Sequence, residues 1–283
     1  MKRMSPICSG TILSPYGHEW RLKNFDDYLK ELSHIIDSCS GNDSLLVFRG
    51  HAEYTWLLDS TLVRNSIQYF FGLKNYQSLN PEIRESLYFH KFILSTLLLK
   101  FGVISKPSRE LFDRENEGLD PWFEFMKHCQ QYPENDKYSL KGTPIIDWTT
   151  DANVALYFAN ENRKGQGAIW ICDASATGKI LQVKKVREIL DLMNEPSFFE
   201  SPKGVPLMFH PQKQTAQQRA IRQKAIYFAQ MDFRYDLAEI WSSQDKDKSV
   251  FVKLILPDGT QEECKHYLNS QYPPITQEYL FPN

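Results

Sequence analysis

Two segments roughly a hundred residues apart constrain this chain most. They are LLVFRGH (Leu45–His51) and IIDWTTDANVALYFAN (Ile145–Asn160). In the first, four apolar residues run into Arg49 and Gly50. In the second, Ile145 and Ile146 run into Asp147, Trp148, Thr149 and Thr150, and apolar residues at helical spacing follow. A short apolar run bounded by such breaks predicts a buried strand. An arginine at the end of a buried strand is costly unless it meets an anion. Two such strand ends side by side would place a polar pocket on an apolar sheet.

The rest of the chain supplies helices and further strands. Asn24–Ser40 carries apolar residues at 25, 28, 29, 32, 35 and 36 behind a potential Asn24 cap, which predicts a helix. Glu85–Lys100 predicts a strongly apolar helix, Pro121–Tyr132 a helix with proline at its start, Asp151–Asn162 a helix capped by Thr150 or Asp151, and Lys185–Asn194 a short one. Strands are expected at Gly167–Asp173, Lys179–Val183 and Ser249–Gly259. Ala220–Met231 fits helix or strand by periodicity. A last helix is expected over ECKHYLNSQ, then an extended tail, while residues 1–20 read as irregular. Strands and helices without regular alternation give an α+β class. No repeat and no linker divides the 283 residues. The expectation is therefore an N-terminal helical extension, 1–44, ahead of one globular unit, 45–283.

Composition excludes several classes. At 42% hydrophobic and 24% charged, the chain is that of an ordinary globular protein. Its most apolar stretch, Phe92–Ile104, is interrupted by Ser95, Thr96 and Lys100, so no membrane association is expected. The N-terminus has a basic start without an apolar continuation, so no signal peptide is expected. Five scattered cysteines without a CxxC pair point to free thiols in a reducing cytoplasm and no zinc site. No GxGxxG, P-loop or GxSxG pattern is present.

The polar groups at the two strand ends suggest a chemistry. A guanidinium grips phosphate or carboxylate at two points, and His51 and Glu53 would share its face in an extended chain. The alternative is that Arg49 is tied to Asp147 as a structural ion pair. Past Asp147 a strand becomes a helix N-terminus, where backbone N–H groups and the dipole favour an anion. Thr149 and Thr150 add hydroxyls there and Trp148 a stacking face, unless the threonine only caps and the indole is core. The net charge is −2, yet no acidic residue falls between Glu200 and Asp232, while Lys203, Lys213, Arg219, Arg222 and Lys224 do. That field suits a dinucleotide or RNA, or is simply a solvated face.

Taken in order, these pieces resemble the FRG-domain family. Phe48-Arg49-Gly50-His51 precedes Trp56, Leu57, Leu58 and a run ending at Arg64; Asp147-Trp148-Thr149 precedes ALYFA; Arg219 and Gln223 follow; and the chain closes on EYLFPN. The His and Arg of the family's usual run before Asp-Trp-Thr have no clear counterpart here, and Ala225 stands where a glycine is expected. The order is similar to that of ADP-ribosyltransferases as well, with Arg49 on a first strand, Thr149-Thr150 and ALYFA on a hydroxyl strand and helix, and Gln223 before KAIYF.

That second resemblance implies a split, mostly antiparallel sheet of the ADP-ribosyltransferase-like kind with surrounding helices. It implies NAD as substrate, Arg49, Gln223 and Asp147 as catalytic residues, and Arg49, His51, Trp148, Thr149, Thr150 and Arg219 as NAD-binding residues. The transfer would pass through an oxocarbenium-like state. Gln223 cannot act as a general base, which leaves Glu53, Asp59 or Asp147 for that role. The FRG resemblance further implies a bacterial toxin–antitoxin or anti-phage defence effector with a macromolecular target, RNA being the one the basic stretch suits. A cognate antitoxin or chaperone would be its protein partner. The alternative is a non-catalytic FRG module that binds nucleotide or nucleic acid, and a third reading is a scaffold held by an Arg49–Asp147 pair.

Overall fold

The computed structural model describes residues 11–14, 17–39, 45–103, 126, 129–130, 140–174, 181–182, 207–209, 218–230, 232–244 and 251–282. Among these, nine strands form one sheet: β1 (Thr11–Ser14), β2 (Gly17–Arg21), β3 (Leu46–His51), β4 (Ile145–Thr149), β5 (Gly167–Asp173), β6 (Leu181–Gln182), β7 (Leu207–Phe209), β8 (Ala225–Ala229) and β9 (Phe251–Leu256). Their order is β1-β2-β9-β5-β3-β4-β8-β7-β6. Only β2–β9 and β6–β7 run parallel; the other neighbours are antiparallel. The helices are α1 (Phe25–Cys39), α2 (Thr61–Phe71), α3 (Pro81–Arg84), α4 (Leu87–Val103), α5 (Ala152–Asn160), α6 (Gln218–Arg222), α7 (Leu237–Gln244), α8 (Gln261–Asn269) and α9 (Gln277–Leu280). The class is α+β, and no described helix is long and apolar enough to cross a membrane.

Side-chain alternation along the strands divides the core. Val47, Trp170, Cys172, Ile146, Trp148, Ile226 and Phe228 point to one face and pack with α7. Their sequence neighbours point to the other face, and there the core is in two parts. Phe48, Ile169, Ile171, Val252 and Leu254 pack under α1, α5 and α8. Ile145, Ala225, Tyr227 and Ala229 pack under α2 and α4.

The boundary between those two parts is a gap in the sheet. β3 pairs with β5 from Leu46 to His51, and β4 pairs with β8 from Ile145 to Thr149. Between β3 and β4, however, the only register position is Phe48 with Thr149. Beyond it the strands part, so that Arg49–His51 and Ile145–Trp148 face each other across an opening.

Several expectations change. Residues 11–14 and 17–21 are strands rather than irregular chain; β1 is the edge of the sheet, and β2 pairs with both β1 and β9. Together with α1, whose Phe25, Tyr28, Leu32 and Ile35 are buried against α5 and β9, they make the described part of 1–44 integral to the sheet and not an appended helical extension. Asn24 does cap α1, its Oδ1 accepting from the Asp27 amide at 2.8 Å. The ambiguous 220–231 stretch is both things, a short helix and then a strand. The tail contains the turn α9, capped by Thr276. Of the expected helix 121–132, Met126, Cys129 and Gln130 are helical and the rest lies outside the described residues, as do the expected helix 185–194 and Lys203 and Lys213.

Candidate functional site

The opening between β3 and β4 is the floor of a cavity of about 780 Å³. Its walls come from both strands, from α5, and from the loop after β3, and they include Arg49, His51, Asp147, Thr149, Gln223 and Arg219. A volume of this size falls within the range of small-molecule sites.

Gly50 brings α5 to the rim. A Cβ built there would stand 1.9 Å from the Ala155 carbonyl oxygen and 2.5 Å from the Ala159 amide nitrogen. No side chain fits, so the glycine after Arg49 lets the helix lie directly on the strand. The small residues of ALYFA complete that contact.

Arg49 does not form the expected ion pair with the Asp147 carboxylate. Its Nη1 donates to the backbone carbonyl of Asp147, on the side of β4 that β3 has left. Its Nε lies 3.1 Å from His51 Nε2. No carboxylate lies within ion-pair range, and Nη2 meets no acceptor among the described residues. Burial lowers the guanidinium pKa to about 10, against the opposing pull of Asp147, so the group stays charged at neutral pH. The Asp147 side chain is held by another residue. Its Oδ2 accepts from Gln130 Nε2 at 2.9 Å, and the Gln130 Oε1 accepts from Thr143 at 2.8 Å and Thr61 at 3.2 Å. Oδ1 is buried without a partner. Burial raises the Asp147 pKa, partly offset by the Gln130 bond and by Arg49 and Arg64.

His51 is 4% exposed, and burial, reinforced by Arg49, pushes its pKa well below the usual range. A neutral imidazole has one acceptor nitrogen. Two fixed donors compete for it, Arg49 Nε at 3.1 Å and Trp170 Nε1 at 3.4 Å.

Other expected residues prove structural. Trp148 is 2% exposed and packs edge-on to Phe228, with Phe251 beyond, because strand alternation turns it to the face opposite Asp147. It borders the cavity, with its ring packed into the core of the opposite face. Thr149 lines the cavity, but its hydroxyl donates to the Gln223 carbonyl at 2.7 Å and accepts from the Asp151 amide at 3.0 Å. Thr150 is exposed and outside the cavity lining. Asp151 is the cap of α5, accepting from the Asn153 amide, and pairs with Lys224 at 2.8 Å. The anion expected at that helix terminus is therefore the protein's own carboxylate. Arg222 donates to the Tyr279 carbonyl at 3.0 Å, and Arg219 lies over the Phe281 ring at 4.9 Å. The described part of the basic stretch is thus engaged with the tail and with Asp151.

Gln223 is 8% exposed and lines the cavity, and its Nε2 donates to the Leu280 carbonyl at 3.2 Å. The Leu-Phe-Pro ending therefore folds back onto the site. Of the alternative acids, Glu53 and Asp59 both line the cavity. Asp59 is bound by Arg84 at 2.5 Å and Gln230 at 2.8 Å, whereas the Glu53 carboxylate accepts only from Thr55 in its own loop.

Sequence reasoning left three residues out of the site. Arg64 on α2 lines the cavity, and among the described residues it has no carboxylate in range and its buried Nε has no partner. Trp56 is 39% exposed at the cavity wall, its ring edge-on to His51 at 5.9 Å. Gln130 positions Asp147. Arg64 and Trp56 stood in the run after Arg49 as motif residues, but nothing in their spacing told which way they point.

The site is a polar cavity at the split of a mostly antiparallel α+β sheet, lined by Arg49 and Arg64 together with the carboxylates of Glu53, Asp59 and Asp147. The family model of the FRG domain matches residues 44–167, which carry β3, α2, β4, α5 and the start of β5. That segment is similar to FRG domains and supplies most of the site. No curated protein and no solved structure matches the chain.

Proposed function

We propose that the protein is an NAD-dependent ADP-ribosyltransferase. The observation that carries this reading is the pair of half-buried guanidiniums, Arg49 and Arg64, left without carboxylate partners among the described residues in the same cavity as the Asp147 carboxyl, whose pKa burial raises. In this reaction the glycosidic bond between ribose C1′ and the nicotinamide nitrogen breaks, and nicotinamide leaves with the electron pair. The oxocarbenium-like ribose is then captured by an acceptor nucleophile. Asp147 takes the proton that the nucleophile loses; a buried carboxyl with a raised pKa suits a general base at neutral pH. Arg49 holds the anionic part of NAD. Gln223, lacking a carboxylate, keeps only its amide oxygen for a ribose hydroxyl. The acceptor is a macromolecule, and RNA is the candidate within the defence-effector reading, in which an antitoxin or chaperone partner would restrain the enzyme.

The test is incubation with NAD labelled in the adenosine half, together with total RNA, DNA or cell protein in separate reactions. Label transferred to one class, and lost in Arg49→Ala and Asp147→Asn, is the expected result. A folded protein that neither transfers label nor releases nicotinamide would overturn the enzyme reading.

The second reading, a non-catalytic nucleotide- or nucleic-acid-binding module, is favoured by one observation. The amide of Gln223 is spent on the Leu280 carbonyl, so the corner where a carboxylate is expected is tied down rather than poised. Such a module would bind the dinucleotide without turnover.

A further inference from the structure

A second, polar cavity of about 540 Å³ adjoins the first and shares Glu53, Trp56 and Arg64 with it. It is formed by the loop after β3, one side of α2 and the turn at 74–77. Four amide side chains line it. Asn75 is turned into its own turn, its Oδ1 accepting from the Gln77 amide at 3.0 Å, and the other three share one orientation. Asn65 Nδ2 donates to the Lys141 carbonyl at 3.0 Å, Gln68 Nε2 to the Lys74 carbonyl at 3.3 Å, and Gln77 Nε2 to the Thr55 carbonyl at 2.5 Å. Anchoring the nitrogens fixes the amides against flipping. It leaves three carbonyl oxygens without a protein donor among the described residues. Such a cavity takes a ligand that donates hydrogen bonds. A cationic donor is disfavoured, because Arg64 and Lys74 are in the same wall. A neutral donor attached to an anion satisfies both conditions.

We propose that this second cavity binds the adenosine half of the dinucleotide. The exocyclic amine of adenine and the ribose hydroxyls donate to the amide oxygens of Asn65, Gln68 and Gln77. The diphosphate crosses the ridge at Arg64, and the nicotinamide half lies in the first cavity against Arg49. The half-exposed ring of Trp56, common to both cavities, forms the ridge on which an aromatic base or the sugar rests. This assignment rests on the proposed use of NAD, and it names the residues that select the purine.

The test compares NAD with its hypoxanthine analogue, which carries a carbonyl oxygen where adenine carries the amine. Isothermal titration of the full chain is expected to give binding of the analogue roughly ten-fold weaker or worse, as for a polar site facing the wrong partner. Gln68→Leu, at an exposed position of α2, is expected to weaken NAD and to remove most of that discrimination. The same variant should leave binding of nicotinamide mononucleotide unchanged. Equal binding of NAD and the analogue, or a Gln68→Leu protein that still discriminates fully, would overturn the assignment while leaving the transferase reading intact. Binding with discrimination but without turnover would sustain the subsite and remove the catalysis. No binding of any dinucleotide would remove both.

Discussion

Two regions of this molecule hold their arginines in opposite ways. In the corner beneath α2–α4, cations and carboxylates are matched. Arg84 reaches Asp59 at 2.5 Å, Arg234 reaches Asp232 at 2.7 Å, and Gln230 bridges Asp59 to the Tyr235 carbonyl. At the split between β3 and β4, Arg49 binds a carbonyl and an imidazole, and Arg64 meets no carboxylate among the described residues. The corner is closed on itself and holds the fold. The split keeps its charge for something from outside.

The comparison predicts where each loss is felt. Arg84→Ala leaves Asp59 buried beside Asp236 without its cation and should cost about 3–5 kcal/mol in chemical denaturation. Arg49→Ala should lower turnover of NAD by about 10²–10³, while its stability falls by less than about 2 kcal/mol, because only a carbonyl and an imidazole lose a donor. A variant at Arg49 as destabilised as the one at Arg84 would erase the distinction and restore the scaffold reading.

The corner also has a pH signature. Burial and the neighbouring Asp59 push the Asp236 pKa from 3.8 up to about 6. The folded state therefore holds more protons than the unfolded chain between these values. Stability should fall as pH rises from about 4 to about 6, and Asp236→Asn should flatten that slope. The smallest expected effect is at the start of α2, the helix that carries Arg64. Ser60 accepts from the Val63 amide at 3.4 Å, so Ser60→Ala should cost about 1 kcal/mol. A thermal melt would measure it, with Arg49-dependent NAD binding preserved.

The sequence made β3, β4, α5 and β9 legible because their apolar runs are buried and bounded by clear breaks. It missed β1 and β2 because both are short and neither TILS nor GHEWR carries an apolar run bounded by breaks. Arg49, Asp147 and Gln223 were legible as a constellation through motif order, and all three line one cavity. Trp148 was read outward because spacing alone does not tell which face of β4 is core. Asp151, not Thr150, turned out to be the cap and to fill the anion position. Arg64 and Gln130 escaped notice because their roles arise from tertiary approach: α2 brings the one and a short helical turn brings the other.

The imidazole of His51 has one lone pair and two suitors. Arg49 faces Nε2 and the Trp170 indole faces Nδ1, so a ligand anion that draws the guanidinium away lets the ring take the tautomer whose lone pair, on Nδ1, accepts from Trp170 on the neighbouring strand. Occupancy of the cavity is thereby written into the environment of a buried fluorophore. Tryptophan emission then becomes a label-free readout of binding, and the share carried through His51 is the part that substitution of Trp170 removes.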